Sequence, residues 1–381
     1  MWHEILRWAL LALALGPFGY YILAITAAWR FFRNRPPIPK NFAPPVSVLK
    51  PVRGLDREAY ENYATFCAQE YPEYEIIFGV TEAEDPAVPV IEKLVRDFPK
   101  CKIRLLIGAD VLGPSDKINK LCRMVDEAKH DILIISDSDI RVAPGYLYAV
   151  AAPFADPKVG AVTCLYRGLT DGSLVSDIEA LGNTSDFDAG VLAAWQLGGV
   201  DFALGATMAT TKKHLAEIGG FASLVDYYSD DFELGNRIAA RGHRVEVTTF
   251  PVFTVFPTQT LAHCFHHQVR WALTTWHARP WGHVSLVLTY GLPWTILAMA
   301  IAPSWSVAAF YAAGYVVLRS LMAWTVGVWG VQDPLLRKKF YLVPLRDAFA
   351  FAVWVASFFK RRIEWRGTHY YVVNKRLIPA K

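Results

Sequence analysis

One short stretch combines the pattern of a buried strand with two carboxylates, and it constrains the fold more than any other feature of the chain. An apolar run at residues 132–135 leads almost directly into Asp137 and Asp139. An apolar run of this length, bounded by polar residues, is typical of a strand buried on both faces of a parallel sheet. Open α/β sheets bind ligands at the carboxyl ends of such strands. The sequence therefore predicts a ligand site at Asp137 and Asp139.

The spacing of these two carboxylates has two interpretations. Hard oxygen ligands placed side by side suit Mg²⁺ or Mn²⁺ carrying a diphosphate. Alternatively, Asp137 and Asp139 only cap backbone N–H groups in a turn at the strand end. An isolated Asp-Ser-Asp does not distinguish metal binding from capping of the backbone, so the distinction depends on features elsewhere in the chain.

The composition indicates a membrane protein of a reducing compartment. Hydrophobic residues make up 53% of the 381 residues and charged residues 19%, which is more apolar than an ordinary soluble enzyme. The net charge is +4 and no arginine-rich stripe is present, so nucleic acid is not an expected partner. The five cysteines are scattered without paired spacing, which argues against a disulfide framework or a zinc site.

The first apolar run predicts a membrane anchor. Residues 5–29 are almost uncharged and long enough to span a bilayer. They lack a small-residue cleavage site, so we expect an anchor rather than a removable signal peptide. Four basic residues follow, and the positive-inside rule then places the next domain in the cytoplasm. These residues are Arg30, Arg33, Arg35 and Lys40.

From residue 46 onward the sequence alternates between strand and helix patterns. This alternation predicts a mostly parallel sheet with helices on both faces. Strands are predicted at 46–50, 75–80, 103–107, 132–135 and 160–165, and helices at 60–69, 89–98, 117–128 and 145–154, with a mostly helical region at 167–199.

Two later features bear on a site. The small-residue stretch 202–209 would let the backbone approach a ligand closely. Asp230 and Asp231 begin a helix that is predicted to run through Ala240. Their charges lie where the helix dipole favours an anion.

The C-terminal part is predicted to return to the membrane. Segment 261–279 mixes aromatic residues and arginines with four histidines, which fits a helix lying on a membrane surface or, equally, an amphipathic core helix. Residues 284–302 and 305–330 are predicted spans. Residues 340–359 are interrupted by Arg346 and Asp347. This last segment is predicted either to span the membrane or to be a re-entrant or interfacial element, because a basic cluster at 360–362 contradicts the positive-inside rule if the segment crosses.

Five motifs occur in a fixed order along the chain. They are Pro45-Val46-Ser47-Val48-Leu49-Lys50-Pro51, Asp116-Lys117-Ile118-Asn119, Asp137-Ser138-Asp139-Ile140-Arg141-Val142, Gly205-Ala206-Thr207-Met208 and Arg270-Trp271. In this order they resemble the ceramide glucosyltransferase family, including its bacterial, hopanoid-associated branch, and the resemblance covers nearly the whole chain. The resemblance implies a GT-A nucleotide-sugar-binding fold with N-terminal and C-terminal transmembrane helices, a UDP-sugar donor, a divalent metal (Mn²⁺ or Mg²⁺) and a lipid acceptor.

The chain departs from the family pattern at two positions. The acid after the second strand, usually Asp in this family, is Glu82 here. The position three residues before Arg270, which is Gln or Arg in many relatives, is His267. The histidine also argues against a processive polysaccharide synthase.

On the donor side, the resemblance implies a role for each of five residues. Asp139, with Asp137 assisting or contacting the ribose, would hold a metal that neutralises the charge developing on the leaving diphosphate. Lys117 would pair with a phosphate or the uracil carbonyls, unless it is a solvated surface lysine. Glu82 and Asp85 would contact uridine, or else cap the strand end.

On the acceptor side, Asp231 is the predicted general base for the attacking lipid hydroxyl. Asp230 is its neighbour in the substrate site and fits a helix cap better than a base. His267, Arg270 and Trp271 are predicted to hold the diphosphate and the acceptor, although Trp271 would equally serve interfacial packing.

These inferences predict an inverting glycosyltransferase that moves a hexose from a UDP-sugar to the hydroxyl of a membrane lipid. The first choice is UDP-glucose and ceramide, giving β-glucosylceramide, and the alternative is UDP-N-acetylglucosamine and a hopanoid. A processive polysaccharide synthase would need a translocation channel, for which the downstream spans are too few. A non-catalytic membrane scaffold is disfavoured because Asp137, Asp139 and Asp231 occur together.

The predicted organisation is that of a multi-pass protein of the bacterial inner membrane, with the catalytic domain on the cytoplasmic side. The boundaries are 1–29 for the anchor, 30–45 for a basic proline-rich linker, 46–257 for the GT-A catalytic domain, 258–282 for the interfacial segment with His-x-x-Arg-Trp, 283–359 for the C-terminal transmembrane region and 360–381 for a basic tail.

Overall fold

The computed structural model describes residues 1–33, 41–360, 362–365 and 368–379. Much of the predicted linker (34–40) and parts of the predicted basic tail (361, 366–367 and 380–381) lie outside the described residues. The chain forms two compact units, each made of separate segments. The helical unit comprises Met1–Arg35, Thr170–Gly198 and Thr258–Arg361, and the sheet unit comprises Pro36–Leu169, Gly199–Pro257 and Arg362–Lys381.

The helices and strands are numbered in chain order. The helices are α1 (Trp2–Leu13), α2 (Gly16–Phe32), α3 (Ala59–Cys67), α4 (Ala87–Asp97), α5 (Asp116–Glu127), α6 (Tyr146–Ala151), α7 (Leu174–Gly182), α8 (Asp188–Gly198), α9 (Lys212–Glu217), α10 (Asp230–Ala240), α11 (Leu261–Ala278), α12 (Pro280–Ser285), α13 (Gly291–Ile301), α14 (Trp305–Ala323), α15 (Pro334–Lys338) and α16 (Val343–Ser357). The strands are β1 (Val46–Pro51), β2 (Tyr74–Val80), β3 (Lys102–Ile107), β4 (Ile132–Ile135), β5 (Ile140–Arg141), β6 (Val159–Leu169), β7 (Met208–Thr211), β8 (Arg244–Val255), β9 (Arg362–Trp365), β10 (Thr368–Val373) and β11 (Arg376–Pro379).

Within the described residues, the sheet unit contains an eight-stranded sheet with the order β3-β2-β1-β4-β7-β6-β8-β5. Strand β1 runs parallel to β2 and β4, β2 parallel to β3, and β6 parallel to β8. Strand β7 is antiparallel to both its neighbours, and β5 is antiparallel to β8. The predicted mostly parallel sheet is therefore confirmed, with β7 inserted in reverse between its two parallel parts.

Helices cover both faces of the sheet, as predicted. On one face Val48 and Ile76 pack in a buried core with Tyr63 of α3 and Ile91 of α4. On the other face Gly79 of β2 leaves no room for a side chain, because a Cβ there would lie 2.7 Å from Met124 Sδ of α5. Strand β1 is buried along its whole length, so its carboxyl end emerges from between two helical layers.

Besides the short strands β5 and β7, the sequence did not predict two larger β-structures. Strand β8 pairs with β6 over most of its length, but Thr, Glu and Pro residues interrupt its apolar pattern. Strands β9, β10 and β11 form a separate three-stranded antiparallel sheet in the region predicted only as a basic tail. Strand β8 pairs with a strand that is distant in the sequence, and β9 to β11 do not form an apolar run. Local hydrophobic periodicity therefore indicates neither structure.

In the helical unit, three segments among the described residues are long and apolar enough to cross a membrane. They are Trp2–Phe32, Trp305–Val331 and Phe340–Ser357, with mean hydropathies of 1.8, 1.4 and 1.3. The first and last confirm N-terminal and C-terminal membrane helices as predicted in the fold class. The last also has the length of a span despite its two charged residues.

The predicted span 284–302 is not straight. Helices Pro280–Thr289 and Gly291–Ile301 meet at a bend of 53°. The bend has a local cause, because the Tyr21 hydroxyl accepts a hydrogen bond from Gly291 N at 3.0 Å and interrupts the helical ladder there. These two helices form either a broken span or a re-entrant loop. The sequence predicted a re-entrant alternative for residues 340–359 but not for this segment.

Candidate active site

The carboxyl end of β4, the first turn of α5 and the first turn of α10 meet in the sheet unit. Lys117 connects them, since its ammonium nitrogen lies 2.9 Å from Asp137 Oδ1 and 3.0 Å from Asp230 Oδ2. Burial alone would lower the pKa of Lys117, but Asp137 and Asp230 outweigh it and raise that pKa well above its ordinary value. Lys117 is therefore a permanently charged, mostly buried cation rather than a solvated surface lysine.

Asp231 follows Asp230 at the start of α10 and faces the same space as Asp137. Its Oδ1 accepts a hydrogen bond from Phe232 N at 2.7 Å. Gly205 lies between the two acids, because a Cβ there would be 3.2 Å from Asp231 Oδ2 and 3.6 Å from Asp137 Oδ2. A side chain at position 205 would therefore crowd both carboxylates, and the close approach of this stretch to a ligand stays a prediction. Burial, reinforced by the charge of Asp230, raises the pKa of Asp231 above that of an ordinary carboxyl group.

Asp139 lies just beyond the end of β4, in surroundings that disfavour its negative charge. Burial raises its pKa to about 7, and the charges of Asp137 and Asp56 add to the effect. Asp56 is held beside it by a short hydrogen bond from the Ser138 hydroxyl. A carboxylate in this environment gains from a nearby cation.

The donor set around Asp139 fits a divalent metal that is shared with a substrate. Among the residues that the structure describes, no three or more His, Cys, Asp and Glu side chains are grouped to hold a metal ion. The protein would supply Asp139 and Asp137, and Mg²⁺ in enzymes is commonly held by one or two carboxylates together with substrate phosphates.

Lys50 is a site residue that the sequence reasoning missed. It is completely buried at the end of β1, and its ammonium donates to the backbone oxygen of Asp137 at 2.9 Å and to Ser136 Oγ at 3.3 Å. The same ammonium lies 3.8 Å from the centroid of the Phe66 ring, a cation–π contact. Burial lowers the pKa of Lys50 to about 7. The available signal was a lysine near the end of a mostly apolar strand, but lysines are rarely buried.

Asp116 forms a second unpredicted cluster beside Lys117. Its carboxylate accepts hydrogen bonds from Thr81 Oγ1 and Lys120 Nζ, both at 2.7 Å. Lys120 also donates to the backbone oxygen of Val52 at 3.0 Å. These contacts tie the start of α5 to the ends of β1 and β2, and so fix the position from which Lys117 extends.

The two predicted uridine contacts differ in their surroundings. Glu82 is exposed. The carboxylate of Asp85 accepts hydrogen bonds from Gly54 N at 2.9 and 3.1 Å and from Ala87 N at 2.9 Å. Asp85 therefore caps backbone N–H groups at the strand end, as its alternative interpretation predicted. For both residues, a contact with the nucleotide stays a prediction.

His267, Arg270 and Trp271 belong to the helical unit, on α11. The Nδ1 atom of His267 lies 2.7 Å from Oε1 of the buried Glu179, and its ring centroid is 4.6 Å from that of Trp271. The structure thus gives His267 a carboxylate partner on α7 that the sequence did not suggest. The predicted roles of these three residues toward donor and acceptor stay predictions.

A chain of buried polar contacts extends from α11 into the candidate membrane helices. Gln268 accepts hydrogen bonds from Arg346 at 3.2 and 3.3 Å, and Asp186 pairs with both Arg346 and Arg319 at 2.9 and 2.7 Å. Arg319 pairs in turn with Asp347 at 2.6 Å. The charges that interrupted the predicted last span are therefore partners in one network. Asp186 lies in a π-helical turn, Asn183–Phe187, a feature frequent at functional sites.

The mixed sheet with a pair of carboxylates beyond β4 defines a GT-A-like fold, as predicted. A solved structure of a mannosyltransferase from Pyrobaculum calidifontis, in complex with GDP-Man and Mn²⁺, is similar to the chain with a TM-score of 0.61 and 20% identity, covering 93% of this chain and 99% of that one. At this identity the similarity shows the shared fold.

Sequence comparison then gives the family. The model of Glycosyl transferase family 21 matches residues 9–378, and the chain belongs to this family. It is 24% identical to ceramide glucosyltransferase 3 of Caenorhabditis elegans over 60% of this chain and 50% of that protein. It is 30% identical to ceramide glucosyltransferase of Gibberella zeae over 41% of this chain and 33% of that protein. The chain thus spans half or less of the length of these relatives. The resemblance inferred from the motifs is confirmed.

Proposed function

We propose that the protein is an inverting glycosyltransferase that passes glucose from UDP-glucose to the hydroxyl of ceramide, giving β-glucosylceramide. The observation that carries the proposal is the meeting of Asp137, Lys117 and Asp231 around the end of β4. Membership of Glycosyl transferase family 21 and the names of the similar ceramide glucosyltransferases support the choice of sugar and lipid.

The donor end of the site would be built by β4 and α5. Asp139, with Asp137, would hold a divalent metal, and that ion would supply positive charge to the leaving diphosphate. The similar mannosyltransferase structure contains Mn²⁺ and a nucleotide sugar, which supports this arrangement. Lys117, already charged and held by Asp137, would add a second cation within reach of the phosphates.

The acceptor end would be built by α10. In a single displacement the lipid hydroxyl oxygen bonds to the anomeric carbon while the bond from that carbon to the β-phosphate oxygen breaks. Asp231 takes the hydroxyl proton, and UDP leaves with the electron pair of the broken bond. The raised pKa of Asp231, caused by burial and by Asp230, makes it a better proton acceptor than an ordinary carboxylate.

The acceptor requires a site at the membrane surface. A lipid whose tails stay in the bilayer offers only its head group, and the chain has three candidate membrane spans among its described residues. Arg30 lies in the last turn of the first of them and Arg33 follows it, so the positive-inside rule supports a catalytic region on the cytoplasmic side.

The test is product analysis with the full-length protein. UDP-glucose, UDP-N-acetylglucosamine and GDP-mannose are each incubated with ceramide and with a hopanoid, products are identified by mass spectrometry, and the anomeric configuration is assigned by NMR. We expect β-glucosylceramide. A hexosaminyl hopanoid as the main product would replace this assignment with the alternative pair, and the absence of product from every pair would refute a hexosyltransferase.

The role of the base is tested in the same assay. Asp231→Asn keeps shape and hydrogen bonding but cannot accept the proton, so transfer should fall by about 10²–10⁴-fold, while UDP-glucose binding is retained. Asp126→Asn, at an exposed carboxylate of α5, is the matched control and should transfer normally. Normal transfer by Asp231→Asn would move the base role to Asp230 or Asp186. Loss of UDP-glucose binding would make Asp231 a donor-site residue.

A further inference from the structure

The C-terminal tail contains a tight β-turn that the proposed chemistry does not use. Strands β10 and β11 pair antiparallel, with Val373 opposite Arg376, so Asn374 and Lys375 form a two-residue connection. Both have positive φ, at 49° and 67°, as the type I′ hairpin turn requires. A lysine rarely adopts this conformation, and a residue held there needs support from its surroundings.

That support comes from the segment leading into α10. Tyr228 N donates a hydrogen bond to Lys375 O at 3.0 Å, and Leu377 N donates to Asp226 O at 2.7 Å. Tyr227 forms an antiparallel bridge with Arg376. Since β11 is the edge strand of its sheet, residues 226–228 extend that sheet by adding to its free edge.

Side chains of the turn reach past this segment to the first turn of α10. The ammonium of Lys375 lies 3.5 Å from Glu233 Oε1 and 5.3 Å from the centroid of the Phe232 ring. Leu377 is 4% exposed and anchors the strand. The tail therefore contacts the chain on both sides of Asp230 and Asp231, at 226–228 before them and at 232–233 after them.

The same segment is fixed from another direction by α5. Ser115, which caps α5, donates its backbone N–H to Val225 O at 3.2 Å. Gly113 leaves no room for a side chain, because a Cβ there would lie 2.8 Å from Val225 Cγ1. The segment before Asp230 is thus held between the helix that carries Lys117 and the C-terminal turn.

We infer that the C-terminal β-turn and β11 act as a positioning element for the acidic pair Asp230 and Asp231. This inference rests on the proposed function, in which Asp231 is the base. With the tail docked, residues 226–233 are held on two sides and the Asp231 carboxylate has one position relative to Lys117 and Asp137. A misplacement of about 1 Å at a reacting group can cost roughly 10²-fold in rate, so loosening this contact is expected to slow transfer without weakening donor binding.

The test compares two neighbouring residues of β11. Leu377→Ala removes the buried anchor, and Ile378→Ala is the matched control because Ile378 is 46% exposed on the same strand. Leu377→Ala should lower kcat by about tenfold or more with an unchanged KM for UDP-glucose. Hydrogen–deuterium exchange at residues 226–233 should become faster in this variant alone, while exchange in β1 and β4 stays as in the wild type. Leu377→Met should restore both readouts.

The outcomes separate the positioning role from the proposed function. A wild-type protein that transfers no sugar refutes the proposed function before any variant is compared. An active wild type with equal kcat in Leu377→Ala and Ile378→Ala overturns the positioning role only. Faster exchange throughout the eight-stranded sheet in Leu377→Ala would also overturn it, because the tail would then be a general element of fold stability.

Discussion

Gly235 sets how closely α10 packs against the segment before Gly205. It lies one helical turn after Asp231, on the same face of α10. A Cβ at Gly235 would lie 2.2 Å from Ala203 N and 2.4 Å from the Phe202 carbonyl carbon, whereas ordinary contact begins at 3.4 Å. Both contacts are with backbone atoms, which cannot rotate away. Gly235→Ala must therefore separate the helix and the segment by about 1.2 Å, the difference between 3.4 and 2.2 Å.

A shift of this size should lower both the stability of the folded protein and the rate of sugar transfer. Overpacking of this kind costs typically about 1–3 kcal/mol, so the thermal unfolding temperature of Gly235→Ala should fall. Because α10 carries Asp231, the base would move relative to Asp137, and kcat for glucose transfer to ceramide should fall by roughly 10²-fold. The KM for UDP-glucose should change little, since the proposed donor site is built by β4 and α5.

The control is Gly198→Ala at the end of α8, where an added methyl group meets nothing within 4 Å. It should keep the kcat and unfolding temperature of the wild type. Wild-type stability in Gly235→Ala would contradict the close packing of α10 on residues 202–203. A lowered unfolding temperature with normal kcat would instead show that the base is not placed by α10.

Four further outcomes follow from the site. Asp139→Asn should abolish transfer in a folded protein, as should excess chelator with the wild type, and full activity in either condition would refute the metal assignment. Lys117→Ala should raise the KM for UDP-glucose and leave the lipid KM nearly unchanged, and the reverse pattern would place Lys117 on the acceptor side. Transfer should decline on acidification through a pKa above the ordinary carboxyl value, because the proposed base Asp231 must be ionised and burial and Asp230 raise its pKa; Asp231→Asn should lose this contribution and keep only the decline due to Asp139, whose pKa burial raises to about 7. That raised pKa stabilises the folded protein only while Asp231 is protonated, so the Asn variant should unfold at a higher temperature than the wild type at neutral pH.

The half of the sheet that contains β1, β2 and β4 was predictable because these strands carry their signal locally. They are mostly apolar runs buried on both faces, and their order predicted Asp137 at the edge where open α/β sheets bind ligands. The pairing of Lys117 with Asp137 follows from the position of their elements, because β4 ends at that edge of the sheet and α5 begins there.

Other parts of the site depended on tertiary contacts that no local pattern reveals. The burial of Lys50 requires the Phe66 ring and the Asp137 carbonyl, which come from elsewhere in the chain. The capping role of Asp85 depends on Gly54 N, at the end of a different strand. The docking of the C-terminal turn beside α10 involves residues more than a hundred positions apart in the sequence, which a pattern of basic tail residues cannot indicate.

The ion pair between Arg319 and Asp347 has a consequence for how the chain enters the bilayer during synthesis. The two residues lie in different candidate spans, Trp305–Val331 and Phe340–Ser357, and only 4% and 8% of their side chains are exposed. A lone Arg or Asp at the centre of an inserting helix costs about 2.5–3.5 kcal/mol on insertion scales. The two segments neutralise each other only when they are side by side. We therefore expect them to leave the translocation machinery together, with the earlier segment retained there until the later one has been made.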